Sequence, residues 1–289
     1  MSYLYYPGCS LESSAKAYDL STRWVFQNLG KELVELEDWN CCGATMYMST
    51  KETISLVFSA RNLALAERMS GDIVAPCSSC YTILNKTNRI LKENFVLRAK
   101  VNQSLRRDGL AYRLQVKVRH PLDVLVNDIG IEAIASRARR SLEGLKIAQY
   151  YGCQIVRPEG VFDDPENPTT MDGLFKALGA TNIYFPVKVR CCGGMLMTTF
   201  PEVALKLNKE ILECAVENGA GCIVTTCPLC QINLDAYQKK INKKFKRNFQ
   251  IPVLFFTQLL AFSLGSTPKE AAFDQNLVPA EERILGGKL

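Results

Sequence analysis

The chain has 289 residues, of which 47% are hydrophobic and 22% charged, and its formal net charge is +6 at pH 7. This composition is that of an ordinary folded protein long enough for two domains, and it excludes a disordered or fibrous chain. The first residues show no basic and apolar leader, and the most apolar stretch, residues 251–264, falls short of the roughly 20 residues of a membrane-spanning helix. We therefore expect a protein of the reducing cytoplasm, without a membrane span.

Short β-branched runs alternate with helical patterns along the first half of the chain. The predicted elements, in order, are a strand over 3–6, a helix over 13–29, a strand over 32–37, a helix over 51–69, a strand over 73–75 and a helix after Cys80. A further helix opens at His120-Pro121, because proline suits a first helical position, and the basic stretch 137–140 closes it. Such alternation predicts β-α-β units around a parallel sheet.

Ten of the twelve cysteines form a set of five that occurs once in each half. The set is Cys9, Cys41, Cys42, Cys77 and Cys80 in the first half, and Cys153, Cys191, Cys192, Cys227 and Cys230 in the second. Each vicinal pair is followed by glycine, Gly43 or Gly193, and lies 35 positions before its C-x-x-C pair. This repetition predicts a duplicated unit, with domains over residues 1–143 and 144–289.

The predicted fold is therefore α/β, with two pseudo-symmetric repeats. Each repeat is a small parallel-sheet unit with flanking helices. We expect its cysteine ligands on loops at the carboxyl edge of the sheet, where such folds build their sites.

The type and number of the thiols indicate a metal centre. Cytosolic cysteines are rarely disulfides, and thiolates are soft ligands that suit zinc, copper(I) and iron-sulfur clusters. Four thiolates satisfy one zinc ion, so a fifth in both halves favours iron-sulfur clusters, with zinc in one or both repeats as the alternative. Gly43 and Gly193 would bend the chain and let the backbone approach the cofactor. A third interpretation, a redox C-x-x-C at residues 227–230, leaves the other cysteines unexplained.

A basic run stands near the end of the second half: Lys239, Lys240, Lys243, Lys244, Lys246 and Arg247. Such a run attracts phosphates or an acidic partner, or it is simply a solvated helix end next to the negative pole of the helix dipole. No nucleic-acid-binding motif accompanies it, so we expect no nucleic-acid partner. Lys188 and Arg190, before the second vicinal pair, are further candidates for attracting an anionic substrate.

These residues resemble the B subunit of heterodisulfide reductases, whose hallmark is a paired Cys-rich domain with Cys-Cys-Gly. Beyond the ten cysteines, the resemblance includes three segments, residues 163–172, 119–122 and 251–260. It implies two noncubane [4Fe-4S] clusters, each held by five cysteines of one repeat, facing each other across a substrate cavity. It also implies a C-type [4Fe-4S] ferredoxin-like subunit and a flavin-containing A-type subunit as partners, hence a disulfide oxidoreductase acting within a complex.

The resemblance does not identify the substrate. Archaeal members often carry histidine where this chain has Phe255, while the segment 35–45 looks more like bacterial-type homologues, some of which handle sulfur-carrier substrates such as protein-bound lipoate. His120, the single histidine, is a candidate proton donor to a leaving thiolate, or a helix-start residue bonded to backbone. Related Cys-Cys-Gly proteins also serve as electron-relay or anchor subunits of fumarate, succinate or glycolate oxidoreductases, which is the alternative function.

Overall fold

The computed structural model describes residues 2–44, 46–157, 162–281 and 284 of the chain; Thr45, in the segment compared with bacterial homologues, lies outside them. Within this part the strands form two four-stranded sheets. The strands are β1 (Ser2–Tyr5), β2 (Glu32–Glu35), β3 (Ile73–Val74), β4 (Val118–Arg119), β5 (Lys146–Tyr150), β6 (Thr181–Asn182), β7 (Cys222–Thr225) and β8 (Val253–Phe255). All neighbouring strands are parallel, and the orders β2-β1-β3-β4 and β6-β5-β7-β8 are equivalent. The predicted duplicated α/β fold is confirmed.

Helices connect the strands in both repeats. In repeat 1 (residues 1–143) they are α1 (Gly8–Leu11), α2 (Lys16–Asn28), α3 (Met46–Thr50), α4 (Glu52–Arg68), α5 (Ser78–Glu93), α6 (Phe95–Leu105), α7 (Pro121–Val124) and α8 (Ile131–Ala135). In repeat 2 (residues 144–289) they are α9 (Thr170–Ala177), α10 (Leu196–Thr199), α11 (Pro201–Glu217), α12 (Pro228–Asp235), α13 (Gln238–Phe245) and α14 (Phe256–Ser263). The boundary predicted at residues 143 and 144 falls in the turn before β5 and stays a prediction.

The helix predicted from His120-Pro121 to residues 137–140 is wrong in its extent. The structure breaks this stretch into α7, a π-helical turn over Leu125–Ile129, and α8. Gly130 separates the last two with a φ of +91°, a left-handed conformation that no continuous helix contains. Only the start of the helix, where His120 is the N-cap and Pro121 the first residue, is as predicted.

The two repeats share one apolar core, because the second sheet is buried on both faces. Along β7, Cys222 and Val224 belong to the core that extends into repeat 1, whereas Ile223 belongs to the core of repeat 2 alone. Alternate residues of a strand point to opposite faces, so a strand covered on both sides is apolar throughout. The chain therefore places the second sheet between its own helices and repeat 1.

Helices α2 and α14 form much of the contact between the repeats. The hydroxyl groups of Ser21 and Thr257 are 2.7 Å apart in this buried interface. Buried hydroxyls that pair with each other keep their hydrogen bonds without water. This packing brings the carboxyl edges of the two sheets together.

Candidate functional site

The ten repeated cysteines follow the first three strands of each sheet. Cys41, Cys42, Cys191 and Cys192 lie on loops, as predicted, while Cys77 and Cys227 are the N-caps of α5 and α12. The structure refines the prediction for three others, since Cys9, Cys80 and Cys230 lie within the first turns of helices. The carboxyl ends of parallel strands meet at one edge, so these positions converge.

A tyrosine in each repeat fixes the loop that carries the vicinal pair. The hydroxyl of Tyr6 donates to the carbonyl of Asn40 at 2.8 Å, and that of Tyr150 donates to the carbonyl of Arg190 at 2.5 Å. Both acceptors directly precede the vicinal cysteines. Burial raises the pKa of both tyrosines well above the usual value, so they are neutral donors at physiological pH.

Glycines that precede the first cysteine of each repeat face a thiol, and the sequence-based site did not include them. Gly8 and Gly152 have φ angles of +70° and +67°. A Cβ atom on Gly8 would lie 3.1 Å from Sγ of Cys80, and one on Gly152 would lie 2.9 Å from Sγ of Cys230. Both glycines directly precede a repeated cysteine, which was a signal that the sequence contained.

Gly43 and Gly193 have the bend that the sequence predicts, with φ angles of +79° and +86°. Their missing side chains face helices rather than thiols: a Cβ would meet Ser55 of α4 in the first case and Ala204 of α11 in the second. The backbone N–H of Gly193 donates to Sγ of Cys191 at 3.3 Å. Contact of either glycine with a cofactor stays a prediction.

The carbonyl group of the second cysteine in each vicinal pair is held from behind by a polar side chain of the next long helix. Ser59 Oγ donates to the Cys42 carbonyl at 2.6 Å, and Asn208 Nδ2 donates to the Cys192 carbonyl at 2.8 Å. Both polar side chains are fully buried. The two loops therefore hold equivalent positions with different hydrogen-bonding residues.

Within each repeat the five thiols are neighbours of one another. In repeat 1, Sγ of Cys42 lies 3.3 Å from Sγ of Cys80. Electrostatic interactions join further thiol pairs within the repeats: Cys9–Cys41, Cys41–Cys42, Cys77–Cys80, Cys153–Cys191, Cys192–Cys230 and Cys227–Cys230. Cys77 and Cys227 interact in the same way, and Ser78 Oγ donates to the Thr226 carbonyl at 3.0 Å, so the two groups of five adjoin at the contact between the repeats.

These contacts divide each group into thiols that ionise readily and thiols that do not. Hydrogen bonds from Cys42 and Cys9 lower the pKa of Cys41 to about 2, and one from Cys153 lowers the pKa of Cys191 to about 6. The thiols that donate these hydrogen bonds have raised pKa values. The hydrogen bond to Cys41 raises the pKa of Cys42 to about 12. Hydrogen bonds from Cys230 and Cys77 also lower the pKa of Cys227 well below its usual value. Thiolate charge therefore develops on Cys41 in repeat 1 and on Cys191 and Cys227 in repeat 2.

This donor set fits a sulfur-rich cluster better than a single ion. Among the described residues, no three His, Cys, Asp or Glu side chains surround one point closely enough to hold one metal ion. The donor set itself is five thiols in each repeat, one more than a single tetrahedral zinc ion takes. Soft thiolates in this number suit several metal atoms bridged by sulfide.

His120 lies at the contact between the repeats and is fully buried. Its Nε2 is 2.8 Å from the carbonyl oxygen of Pro76 and 3.3 Å from that of Thr226. Its Nδ1 accepts the backbone N–H of Leu122 at 3.2 Å, so Nε2 carries the proton and donates to the carbonyls. Burial lowers the pKa of His120 to about 4. The imidazole is thus neutral and joins the residues that precede Cys77 and Cys227; its role in proton transfer stays a prediction.

Phe255 occupies the position in repeat 2 that His120 occupies in repeat 1. Each follows or ends the fourth strand of its sheet and is the N-cap of the next helix. The ring of Phe255 stacks on Tyr18 of repeat 1, with centroids 4.3 Å apart and planes at 7°. The hydroxyl of Tyr18 donates to the Thr226 carbonyl at 3.2 Å. An aromatic and largely apolar enclosure therefore surrounds the Cys77–Cys227 contact.

Lys188 and Arg190 are engaged within the protein. Lys188 Nζ lies 2.9 Å from both the Pro168 carbonyl and Oδ1 of Asp172. Arg190 pairs with Glu210 at 2.8 Å. These contacts give the two cations a structural role in holding the loop before Cys191.

The remaining two cysteines lie apart from the two groups. Cys222 is fully buried in β7, where burial raises its pKa to about 12, and Cys214 lies in α11. No helix in the described part of the chain is long and apolar enough to cross a membrane.

Fold and site together define a duplicated cysteine-rich protein with two linked thiol centres. The family model described as CCG, cysteine-rich domain, matches the chain twice, at residues 3–85 and 147–235. The chain belongs to this family of paired CCG cysteine-rich domain proteins, which includes the B subunits of heterodisulfide reductases.

Curated relatives are similar over nearly the whole chain. The 8-methylmenaquinol:fumarate reductase membrane anchor subunit of Wolinella succinogenes is 34% identical over 96% of this chain and 97% of its own length. A protein of Archaeoglobus profundus that is named as similar to the heterodisulfide reductase B subunit is 36% identical over 92% and 91%. The B subunit of the ferredoxin:CoB-CoM heterodisulfide reductase of Methanosarcina mazei is 30% identical over 94% and 92%. These names support an oxidoreductase subunit, and the cysteine-rich domains suggest iron-sulfur clusters.

A solved structure with the same fold is a hypothetical protein from Helicobacter pylori. It superposes with a TM-score of 0.78 over 96% of this chain, at 14% identity, which shows the fold alone. The present chain spans about half of that one, 52% of its length.

Proposed function

We propose that this chain is the catalytic iron-sulfur subunit of a heterodisulfide reductase-like complex. It would reduce or form a disulfide, or handle protein-bound sulfur, on two noncubane [4Fe-4S] clusters. The observation that carries the proposal is the hydrogen bond from Ser78 Oγ to the Thr226 carbonyl at 3.0 Å, because these residues adjoin Cys77 and Cys227 and bring the two five-thiol groups together at the interface between the repeats.

Two adjoining centres suit the stoichiometry of the reaction. Reduction of a disulfide consumes two electrons and two protons and gives two thiols, RSSR′ + 2e⁻ + 2H⁺ → RSH + R′SH, and oxidation of the thiols is the reverse. Noncubane [4Fe-4S] clusters, when bound, supply one-electron chemistry at iron atoms with an affinity for sulfur. The five cysteines of each repeat would hold one such centre, so that each repeat would supply one of the two electrons.

The residues of the chain would contribute ligands, a dry enclosure and a fixed separation of the two groups. Cys77 and Cys227 are 4% and 3% exposed, and Tyr18, Phe255 and His120 lie around them, all buried. Water is thereby kept from a site where thiolate intermediates are reactive. His120 could deliver a proton to a leaving thiolate only after its ring takes up a second proton at Nδ1, the atom that now accepts the Leu122 N–H, and burial opposes this protonation.

A groove along α5 provides a route toward this site. Its volume is about 680 Å³, and it includes Tyr81 and Thr82, directly after Cys80. Thr82 Oγ1 donates at 2.6 Å to the carbonyl of Gln154, the residue after Cys153, so the groove follows the interface between the repeats. Lys86 pairs with Glu52 and Arg157 with Glu166. The other basic residues of the walls still outnumber the acidic one, and this small positive excess favours an anionic substrate. The charged wall residues are Lys86, Arg89, Lys92, Arg157 and Glu93.

A second function is favoured by one relative. The similarity to the fumarate reductase membrane anchor subunit supports an electron-relay or anchor role, with clusters or zinc that never meet the substrate. The flavin-containing A-type and ferredoxin-like C-type partners would belong to the first function, and a fumarate-reducing partner to this one.

Metal analysis after anaerobic purification tests the cluster assignment. We expect about eight iron and eight sulfide per chain, four for each of two clusters, and little zinc. Cys42→Ser and Cys192→Ser should each lose about half of the iron, while Cys214→Ser, outside both groups, should keep it. Near-stoichiometric zinc with little iron would contradict the cluster assignment.

Turnover with an artificial electron donor separates the two functions. Reduced methyl viologen should drive disulfide reduction by the iron-loaded chain if the disulfide meets the clusters, and should give none if the chain is a relay. A low-temperature paramagnetic signal after oxidation with a disulfide or thiol locates the reacting site. If Cys192→Ser keeps the wild-type signal, repeat 2 is not where substrate binds.

A further inference from the structure

The vicinal cysteines of repeat 2 lie beside a group of exposed apolar side chains. Cys191 is exposed, and three large apolar side chains close to it in sequence are exposed as well: Met195 by 42%, Phe200 by 64% and Val203 by 50%. Gly193 packs directly against Ala204 of α11, with a Cβ position only 3.1 Å from that side chain. The start of α11, which carries Val203 three residues after its N-cap Phe200, is therefore adjacent to the vicinal loop.

Basic residues of α13 border the same surface. Lys244 forms an ion pair with Glu202, which lies between Phe200 and Val203 in the sequence, so the carboxyl end of α13 is beside the start of α11. Lys240 and Lys243 of α13 are exposed, and within the described residues neither has an ion-pair partner. We call the surface formed by Met195, Phe200, Val203, Lys240 and Lys243 the Phe200 face.

A patch of exposed apolar side chains bordered by charges of one sign is typical of protein-binding surfaces rather than of solvated helix ends. Exposed aromatic residues are unfavourable on a free surface and are enriched at the centres of interfaces, while the charged rim selects the partner. The bordering charge here is positive, so the complementary partner is acidic. Because the exposed thiol of the repeat 2 centre lies beside this face, a redox protein docked there would reach the centre over a short distance.

We propose that the Phe200 face is the docking surface for an acidic iron-sulfur protein that exchanges electrons with the repeat 2 centre. This proposal rests on the proposed function, since it requires a redox centre at the repeat 2 cysteines. It assigns Lys240 and Lys243 of the basic run to partner recognition. The equivalent loop of repeat 1 also has exposed apolar side chains nearby, Tyr47 and Ile54, but the charges beside it are of both signs: Glu37 and Lys51 are exposed and Asp38 pairs with Arg61, so this side does not select an acidic partner.

Electron-transfer kinetics with a defined probe test the surface. The probe is a reduced, acidic 2[4Fe-4S] ferredoxin, mixed anaerobically in a stopped-flow instrument with the iron-loaded full chain. Lys240→Glu/Lys243→Glu should lower the second-order rate constant roughly tenfold at low ionic strength, with the difference vanishing at high salt. The matched control Lys100→Glu/Lys117→Glu, on exposed lysines of repeat 1, should change it by less than about twofold.

A second variant removes the apolar part of the face. Phe200→Ser should lower the rate constant about fivefold at both low and high salt, since an anchoring aromatic side chain contributes more than about 1 kcal/mol at an interface. Serine is a favourable N-cap for α11, so folding should be retained. Phe95→Ser, at the 73% exposed first residue of α6, is the control and should leave the rate unchanged.

Controls with other electron donors and binding partners decide between the possible outcomes. Reduced methyl viologen should reduce every variant at the wild-type rate, which shows that the clusters are intact. Wild-type rates with ferredoxin for both variants would overturn the docking proposal while leaving the proposed function in place. Loss of binding to phosphatidylglycerol vesicles, with unchanged ferredoxin rates, would also overturn it and assign the face to a membrane surface. If the ferredoxin rate constants change as expected but the iron-loaded chain reduces no disulfide, the proposed function alone is refuted.

Discussion

The two repeats differ in what surrounds their thiols far more than in the thiols themselves. Both have the same strand order, the same five cysteines, and a tyrosine and a glycine before the first of them. They differ at the end of the fourth strand, where repeat 1 has His120 and repeat 2 has Phe255. They differ also outside the vicinal pair, where repeat 2 has the basic Phe200 face and repeat 1 has charges of both signs, Glu37 and Lys51. The duplication thus preserves the five-cysteine framework, whereas the residues around it differ between the repeats.

Substitution of the glycine that precedes the first cysteine should have nearly the same effect in both repeats. Gly152→Ala should lose about half of the bound iron, because the left-handed backbone costs about 1 kcal/mol and the new Cβ would lie 2.9 Å from Sγ of Cys230. Gly8→Ala, with its Cβ 3.1 Å from Sγ of Cys80, should lose as much or slightly less. Iron and sulfide analysis measures both.

Gly30→Ala is the matched control for this pair. Its φ of +71° gives the same backbone strain, but no heavy atom lies within 4 Å of the added Cβ. It should therefore keep all of the iron. Equal iron loss in all three variants would show that strain alone, rather than contact with a thiol, explains the result.

Exchange of the fourth-strand residues should expose the asymmetry between the repeats. His120→Phe leaves the Pro76 carbonyl and the Leu122 N–H without their partner, and should lower the free energy of unfolding by about 4 kcal/mol. Phe255→Leu loses only the stacking on Tyr18 and some packing, and should cost about 2 kcal/mol. Anaerobic urea unfolding gives both values.

His120→Gln sharpens this comparison, since glutamine retains an N–H donor. It should recover part of the loss seen in His120→Phe. Equal destabilisation by His120→Phe and Phe255→Leu would indicate that the hydrogen bonds of His120 contribute nothing beyond its packing.

The smallest expected difference between the repeats is in the pH dependence of stability. It concerns the residue five positions after the C-x-x-C pair, which is Asp235 in repeat 2. Burial raises the pKa of Asp235 to about 6, from 3.8, although N–H donors of Leu277 and Val278 lower it. The folded state then binds more protons than the unfolded state between pH 3.8 and 6, so stability falls as the pH rises through this range. Wild type should lose about 1 kcal/mol between about pH 5 and pH 8 through this group.

Asn85 is the equivalent residue of repeat 1, and its Nδ2 donates to the carbonyls of Tyr81 and Val118. Asp235→Asn should remove the pH-dependent loss and stabilise the protein at high pH. Asn85→Asp should have the opposite effect, because a carboxylate would face two carbonyl oxygens. Urea unfolding midpoints at about pH 5 and pH 8 check both expectations. If Asp235→Asn keeps the wild-type difference between the two pH values, another group causes the pH dependence.

Much of the fold follows from local patterns. The strands near residues 3–6 and 73–75 and the helix near 51–69 were predictable because apolar periodicity and β-branched runs are local properties. The helix from His120 was overextended, since the left-handed conformation of Gly130 is not visible in a periodic pattern. Gly8 and Gly152 were present in the repeated flanks, but the space that a Cβ would occupy depends on Cys80 and Cys230, which are far away in the sequence.

The sequence by itself determined that this protein has two equivalent five-cysteine units in a parallel α/β framework, because ligand spacing and strand-helix alternation are written along the chain. Only the tertiary structure decided that Cys77 meets Cys227, that His120 bonds to the backbone before both, and that α13 borders the start of α11. The physical reason is that these contacts depend on how α2 packs against α14 and how α11 packs against α13. Such packing depends on the shapes and hydrogen bonds of surfaces far apart in sequence, which no local pattern specifies.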